Sequence, residues 1–164
     1  MRKIKILLVA ALVLCMAVCM VACGKDDGSV KVPYTIRIEK EVPIYKDGMK
    51  HTVVVAKSLD QLKEYCMIER IDAGTVTTAP DESVSTYNEE FFQDNVVLLL
   101  TFIASDGAES YTVSSVKAKN GLLTIEVKFR KQKRPAIQAV RTLWKFVEIK
   151  KNIVADTEIQ LSII

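Results

Sequence analysis

The chain has 164 residues, 23 Lys and Arg against 20 Asp and Glu, and four cysteines. That length suits one domain, which at this size buries about two thirds of the surface its unfolded chain exposes. A formal charge of +3 gives no general basic excess, and no nucleic-acid partner is expected.

Arg2, Lys3 and Lys5 precede residues 6–22, which carry no charge at all. This is the layout of a secretory signal, a positive start followed by an apolar run. The run is 17 residues long, at the lower edge of the ~17–25 that can span a bilayer. Its end, Met20-Val21-Ala22-Cys23, resembles the bacterial lipoprotein cleavage site, in which a small residue precedes the cysteine that receives lipid. Cys15 and Cys19 follow the bulky Leu14 and Val18, and only Cys23 sits where polarity begins with Lys25, Asp26 and Asp27. Residues 1–22 are thus expected to be a lipoprotein signal and Cys23 the lipidated residue, with residues 23–33 as a flexible tether and 34–164 as one β-rich domain. The alternative is a retained span. Both place the domain outside the cytoplasm.

Cleavage changes the arithmetic. Cys15 and Cys19 depart, the Cys23 sulfur is acylated, and Cys66 remains as the single thiol, so no intramolecular disulfide is available. Arg2, Lys3 and Lys5 also account for the whole excess of positive charge. What remains is neutral but divided: residues 71–116 hold acids and no base, while residues 117–151 are rich in bases.

Along the folded part, Tyr34-Thr35-Ile36-Arg37-Ile38-Glu39 alternates with period two, predicting a strand with Ile36 and Ile38 on one buried face. Asp47-Gly48 predicts a turn, and His51-Thr52-Val53-Val54-Val55-Ala56 a second strand. Ser58 with Gln61 three residues on predicts a capped helix to about Cys66, with Leu59, Leu62 and Cys66 on one face. Residues 67–86, rich in Thr, Ser and Asp, read as a long loop. Asn88 is placed to cap one helical turn, with Tyr87 and Phe92 as a hydrophobic staple. Residues 96–103 are apolar on both alternating sets, which predicts a central strand covered on both sides. Asn120-Gly121 predicts a type I′ hairpin in which Val116 faces Ile125 and Lys117 faces Thr124. Two more strands are expected over 141–149 and 157–163. The expected fold is α+β, mostly β: a single twisted antiparallel or mixed sheet, or a sandwich, of about six or seven strands with one short capped helix and a one-turn helix.

Groups for catalysis are scarce. His51 is the one histidine, and a dyad with Cys66 competes with the plainer reading of Cys66 as a core thiol. One His and one free Cys do not make a zinc site. Asp81, Glu82, Glu89, Glu90 and Asp94 cluster in sequence but lack the alternating loop of a calcium site, so no metal and no cofactor is expected. Lys128, Arg130, Lys131, Lys133 and Arg134 form a basic run suited to an anion such as a wall polymer, a lipid headgroup or an acidic partner. Trp144 and Phe146 are expected in the core.

The order of Lys57-Ser58-Leu59-Asp60-Gln61-Leu62, Tyr87-Asn88-Glu89-Glu90-Phe91-Phe92, the apolar strand 96–102, the hairpin, and Trp144-Lys145-Phe146-Val147-Glu148-Ile149-Lys150 resembles the PrcB C-terminal domain family, named for a component of a protease complex. The resemblance runs from about residue 52 to 163. It implies a non-catalytic, β-rich module, associated in some relatives with an extracytoplasmic protease. The expected function is therefore a membrane-tethered accessory or binding module with an envelope protein as partner. A hydrolase using Glu89 or Glu90, and an anion carrier built on the basic run, are the alternatives.

Overall fold

The computed structural model of the protein describes residues 28–42, 50–72, 75–104, 109–131 and 140–164, and for residues 70–72 the backbone alone. In chain order the elements are β1 (Val30–Lys31), β2 (Thr35–Val42), β3 (Thr52–Ala56), α1 (Leu59–Tyr65), β4 (Met67–Asp72), β5 (Thr75–Pro80), a 3-10 turn (Glu82–Thr86), α2 (Phe91–Asp94), β6 (Asn95–Ala104), β7 (Glu109–Lys119), β8 (Leu122–Lys131), β9 (Arg141–Lys150), α3 (Lys151–Val154) and β10 (Glu158–Ile163). The fold is mostly β, as expected, but the described strands number ten and form three sheets.

Strand β6 explains the arrangement. Val96, Leu98, Leu100, Phe102 and Ala104 point one way, Val97 and Leu99 the other, and all are buried. Each set needs its own cover, because a strand with no polar face is stable only with apolar side chains on both sides. In the first sheet, ordered β2-β9-β6-β3 and antiparallel throughout, β6 is central. The second sheet, ordered β1-β7-β8-β10, covers the first set of β6 side chains. Tyr111, Val113 and Val116 of β7 and Leu123, Ile125 and Val127 of β8 supply the opposing surface. Helix α1, β4 and the 3-10 turn cover the other set with Leu62, Cys66, Ile68 and Val84, and Tyr87 and Phe92 close the layer. Trp144 and Phe146 belong to this second core.

Local signals behave largely as read. The Ser58 side chain accepts from the Gln61 N–H at 3.2 Å, while Gln61 Oε1 accepts from the Lys57 N–H at 2.8 Å, one residue earlier than in a standard capping box. Asn88 Oδ1 accepts from the Phe91 N–H at 2.9 Å, and Tyr87 lies 6.1 Å from Phe92, ring to ring. Asn120 and Gly121 have φ of 49° and 76°, and the hairpin pairs Val116 with Ile125 and Lys117 with Thr124. The left-handed backbone at both positions is what a type I′ turn requires.

Three features differ from the sequence reading. Val30 and Lys31, read as tether, pair with Ala118 and Lys117, and Val32 is buried in the inter-sheet core. Met67–Asp72 and Thr75–Pro80, read as loop, pair as the antiparallel strands β4 and β5. The β-branched run Thr75-Val76-Thr77-Thr78 favours the extended backbone despite its polarity. The register of β2 on β9 shifts at Arg37. Ile36, opposite Val147, therefore enters the inter-sheet core, and Ile38, opposite Phe146, enters the second one. Strand β10 runs parallel to β8, which makes the second sheet mixed, one of the arrangements the sequence reading allowed. The Asp47-Gly48 turn lies outside the described residues.

Ion pairs stitch β2 to its surroundings. Arg37 pairs with Glu148, Lys145 with Glu39 and Arg141 with Glu41, all between β2 and β9. Lys145 is on the inter-sheet face, only 2% exposed, with Glu39 directly opposite it in register. Its stem packs among apolar side chains while its ammonium reaches the sheet edge. From β2, Lys40 also donates to both oxygens of Asp81 at 2.7 and 2.9 Å, and the Ser83 N–H donates to Asp81 at 3.0 Å. This ties the edge of the first sheet to the start of the 3-10 turn.

Two outcomes follow from this packing. Leu100→Ala, at a fully buried position, is expected to lower the unfolding free energy by about 2–5 kcal/mol in urea titration. Burial alone would raise the Asp81 carboxyl, but the bonds from Lys40 and Ser83 outweigh it and hold the group below its usual value. Its stabilising contribution is thus complete above about pH 4 and is lost as pH falls through the lower native value. Asp81→Asn should be less stable at pH 7 and should show a flatter decline of stability from pH 4 to pH 2.

Candidate anion-binding face

The basic run is the one cluster the sequence nominated for binding, and the β7–β8 hairpin decides where it goes. Leu123, Ile125 and Val127 face the core, so strand alternation turns Thr124, Glu126, Lys128 and Arg130 to the opposite side. Lys128 and Arg130 are exposed there, opposite Thr112 and Ser110. Lys131 falls on the other side of the strand and lies 3.8 Å from Glu109. Lys133 and Arg134 lie outside the described residues, as does Cys23.

Pairing brings further bases to the same face, and the sequence pattern gave no sign of them. Lys117 is opposite Thr124, and β1 sets Lys31 directly opposite Lys117. Lys119 stands at the end of the same row, opposite Leu122. On the far side of β8, the parallel strand β10 contributes Glu158, Gln160 and Ser162. Among the described residues, this outer face therefore carries Lys31, Lys117, Lys119, Lys128 and Arg130 against Glu126 and Glu158. Lys117 donates to Glu126 at 2.7 Å. A hollow of about 440 Å³ opens on it, walled by Ser29, Lys117, Lys119, Thr124 and Glu126. Like charges placed directly across a strand pair cost stability, and the Lys117–Glu126 pair offsets that cost for Lys31 and Lys117.

Other candidate chemistry separates. His51 packs against Phe102 and Tyr111, and its Nδ1 accepts from the Ile103 N–H at 3.3 Å. Cys66 is buried in the second core, on the other side of the first sheet. The two do not meet. Burial, aided by the Asp81 charge and only partly offset by Lys40, pushes the Cys66 thiol up to about 12, which makes the nucleophilic thiolate inaccessible near neutrality. Asp81 is engaged by Lys40 and Ser83, and Glu82, Glu89, Glu90 and Asp94 are exposed. Among the described residues no three His, Cys, Asp or Glu side chains converge as a metal site requires. None of the described helices is long and apolar enough to cross a membrane.

Comparisons with protein-family models, with curated proteins and with solved structures find no match to this chain.

The buried thiol gives a direct check. In the native protein at pH 8, Cys66 should react with a disulfide-exchange reagent at least a hundredfold more slowly than in 6 M guanidinium, and Cys66→Ser should leave His51 in the same environment by NMR.

Proposed function

We propose that this chain is a lipid-anchored, extracytoplasmic binding module of a bacterial envelope, with no catalytic activity of its own and with an envelope protease as the partner it assembles with or regulates. The observation that carries this reading is the sequence around Cys23: a positive start, an uncharged run, and Ala22-Cys23 at the boundary where polarity begins. The first strand begins at Val30, so the domain follows the anchor closely. The protease association rests on the resemblance to the PrcB C-terminal domain family. A second reading, an anion-binding lipoprotein, is favoured by the five bases on the outer face of the β7–β8 sheet.

The anchor is tested by growth with an alkyne-tagged palmitate followed by detergent phase partition. The wild-type chain should be labelled and enter the detergent phase. Cys23→Ala should be unlabelled, and labelling that persisted in it would exclude Cys23 as the acylated residue.

A further inference from the structure

The molecule is charged unequally from one side to the other. The outer face of the β1-β7-β8-β10 sheet carries Lys31, Lys117, Lys119, Lys128 and Arg130 against Glu126 and Glu158. On the opposite side, the layer formed by residues 57–94 exposes Asp60, Glu64, Glu69, Glu82, Glu89, Glu90 and Asp94, against Lys57 and the half-buried Lys63 among its described side chains, with Arg37, Lys40, Lys150 and Lys151 reaching it from neighbouring elements. Two apolar cores and the first sheet lie between the two poles. Packed layers are ~10 Å apart, so the acids stand roughly 20 Å from the basic face, more than twice the ~8 Å screening length at physiological ionic strength. An anionic plane touching the basic face would feel its bases and little of those acids.

The chain enters the fold on this same face. Gly28, at φ +72°, has the Lys119 side chain beside its α-carbon, 3.9 Å from where a Cβ would stand. Ser29 forms part of the hollow between Lys117 and Thr124. From Cys23 to Gly28 there are five Cα steps, at most about 17 Å of extended chain. A lipid on Cys23 would keep the membrane within that distance of Lys119. The rows of bases run from Lys119 to Arg130 along some nine residues of strand, about 30 Å. An extended surface parallel to the sheet meets all of them at once.

We propose that the outer face of the β1-β7-β8-β10 sheet is a docking surface for anionic phospholipid headgroups, which lays the domain flat on the bilayer and turns its acidic layer outward. The proposal rests on the reading of Cys23 as the anchor, and it concerns orientation rather than attachment. Each Lys or Arg brought to an anionic leaflet strengthens docking about fivefold, so three together are worth about a hundredfold.

The test uses the full lipidated chain in vesicles, with a fluorophore on an introduced cysteine, Thr124→Cys on the basic face or Thr78→Cys on the opposite layer, Cys66 being buried. Quenching by lipids with nitroxide headgroups is compared in phosphatidylcholine alone and with 30% phosphatidylglycerol. In the anionic vesicles the probe at 124 should be quenched several times more than that at 78, and 0.5 M NaCl should remove the difference. Lys119→Gln, Lys128→Gln and Arg130→Gln together should abolish it while the circular dichroism and flotation on neutral vesicles stay unchanged. Equal quenching at 124 and 78, or a difference that survives the triple substitution, overturns the proposal. So does binding of soluble polyphosphate without quenching at 124, which would make the face a site for a soluble polyanion. Flotation on neutral vesicles reports the anchor alone. If it fails, the anchor reading falls, and salt-sensitive flotation of the same chain on anionic vesicles decides the face by itself.

Discussion

Strand β6 has to be covered twice, and the rest of the molecule is arranged around that requirement. Its alternate side chains, Leu98 and Leu100 among one set and Val97 and Leu99 among the other, leave no row that water can solvate. One cover is a whole second sheet; the other is assembled from a short helix, a strand pair and a 3-10 turn. The two covers differ in kind because the two faces of the first sheet differ in extent. Toward the second sheet the apolar surface runs the length of β6 and continues through Val147 and Ile149 of β9. On the other side it narrows to a patch around Val97, Leu99, Trp144 and Phe146, which one turn-rich segment can close.

Where the apolar surface ends, charge takes over in an ordered way. Strand β2 is an edge strand, and its polar residues pair alternately with β9 and with the covering layer: Arg37, Glu39 and Glu41 to β9, Lys40 to Asp81. Exposed edges invite pairing with other chains, and a row of charged side chains discourages it. The buried Lys145 illustrates the cost of this arrangement. Its ammonium is tolerable in an apolar layer because Glu39 stands beside it at the rim, where water still reaches the carboxylate. Removing that acid would leave a buried charge without compensation.

Much of this was legible in the sequence where the signal is local. The Asn120-Gly121 turn, the Ser58 cap, the Asn88 cap and the two-sided burial of residues 96–103 each follow from a few neighbouring residues. What stayed hidden depends on partners distant in sequence. Nothing near Lys31 announces that it will stand opposite Lys117, so the basic run 128–134 is only part of the charged face, and Lys131, though within the run, is turned away from that face by the strand. The bulge at Arg37 was equally silent, because an Ile-x-Ile spacing looks the same whether its residues share a core or divide between two. The β4–β5 pair was missed because threonine is both a turn residue and a β-branched one, and its second character prevailed where Ile68 had an apolar layer to enter.

Strand β2 has a further consequence, for the order of events in folding. It pairs along its whole length with β9, Thr35 lying opposite Glu148, and β1 and β10 likewise join strands far from the chain's two ends. Pairings between segments this distant are slow to form, since the entropy of closing the loop is lost before any contact repays it. The first sheet cannot be completed until β9 is present, nor the second until β10 is. An unfinished chain thus has hairpins available to it but neither sheet. During synthesis that delay leaves the apolar faces of β6 without their full cover until β9 and β10 have followed it.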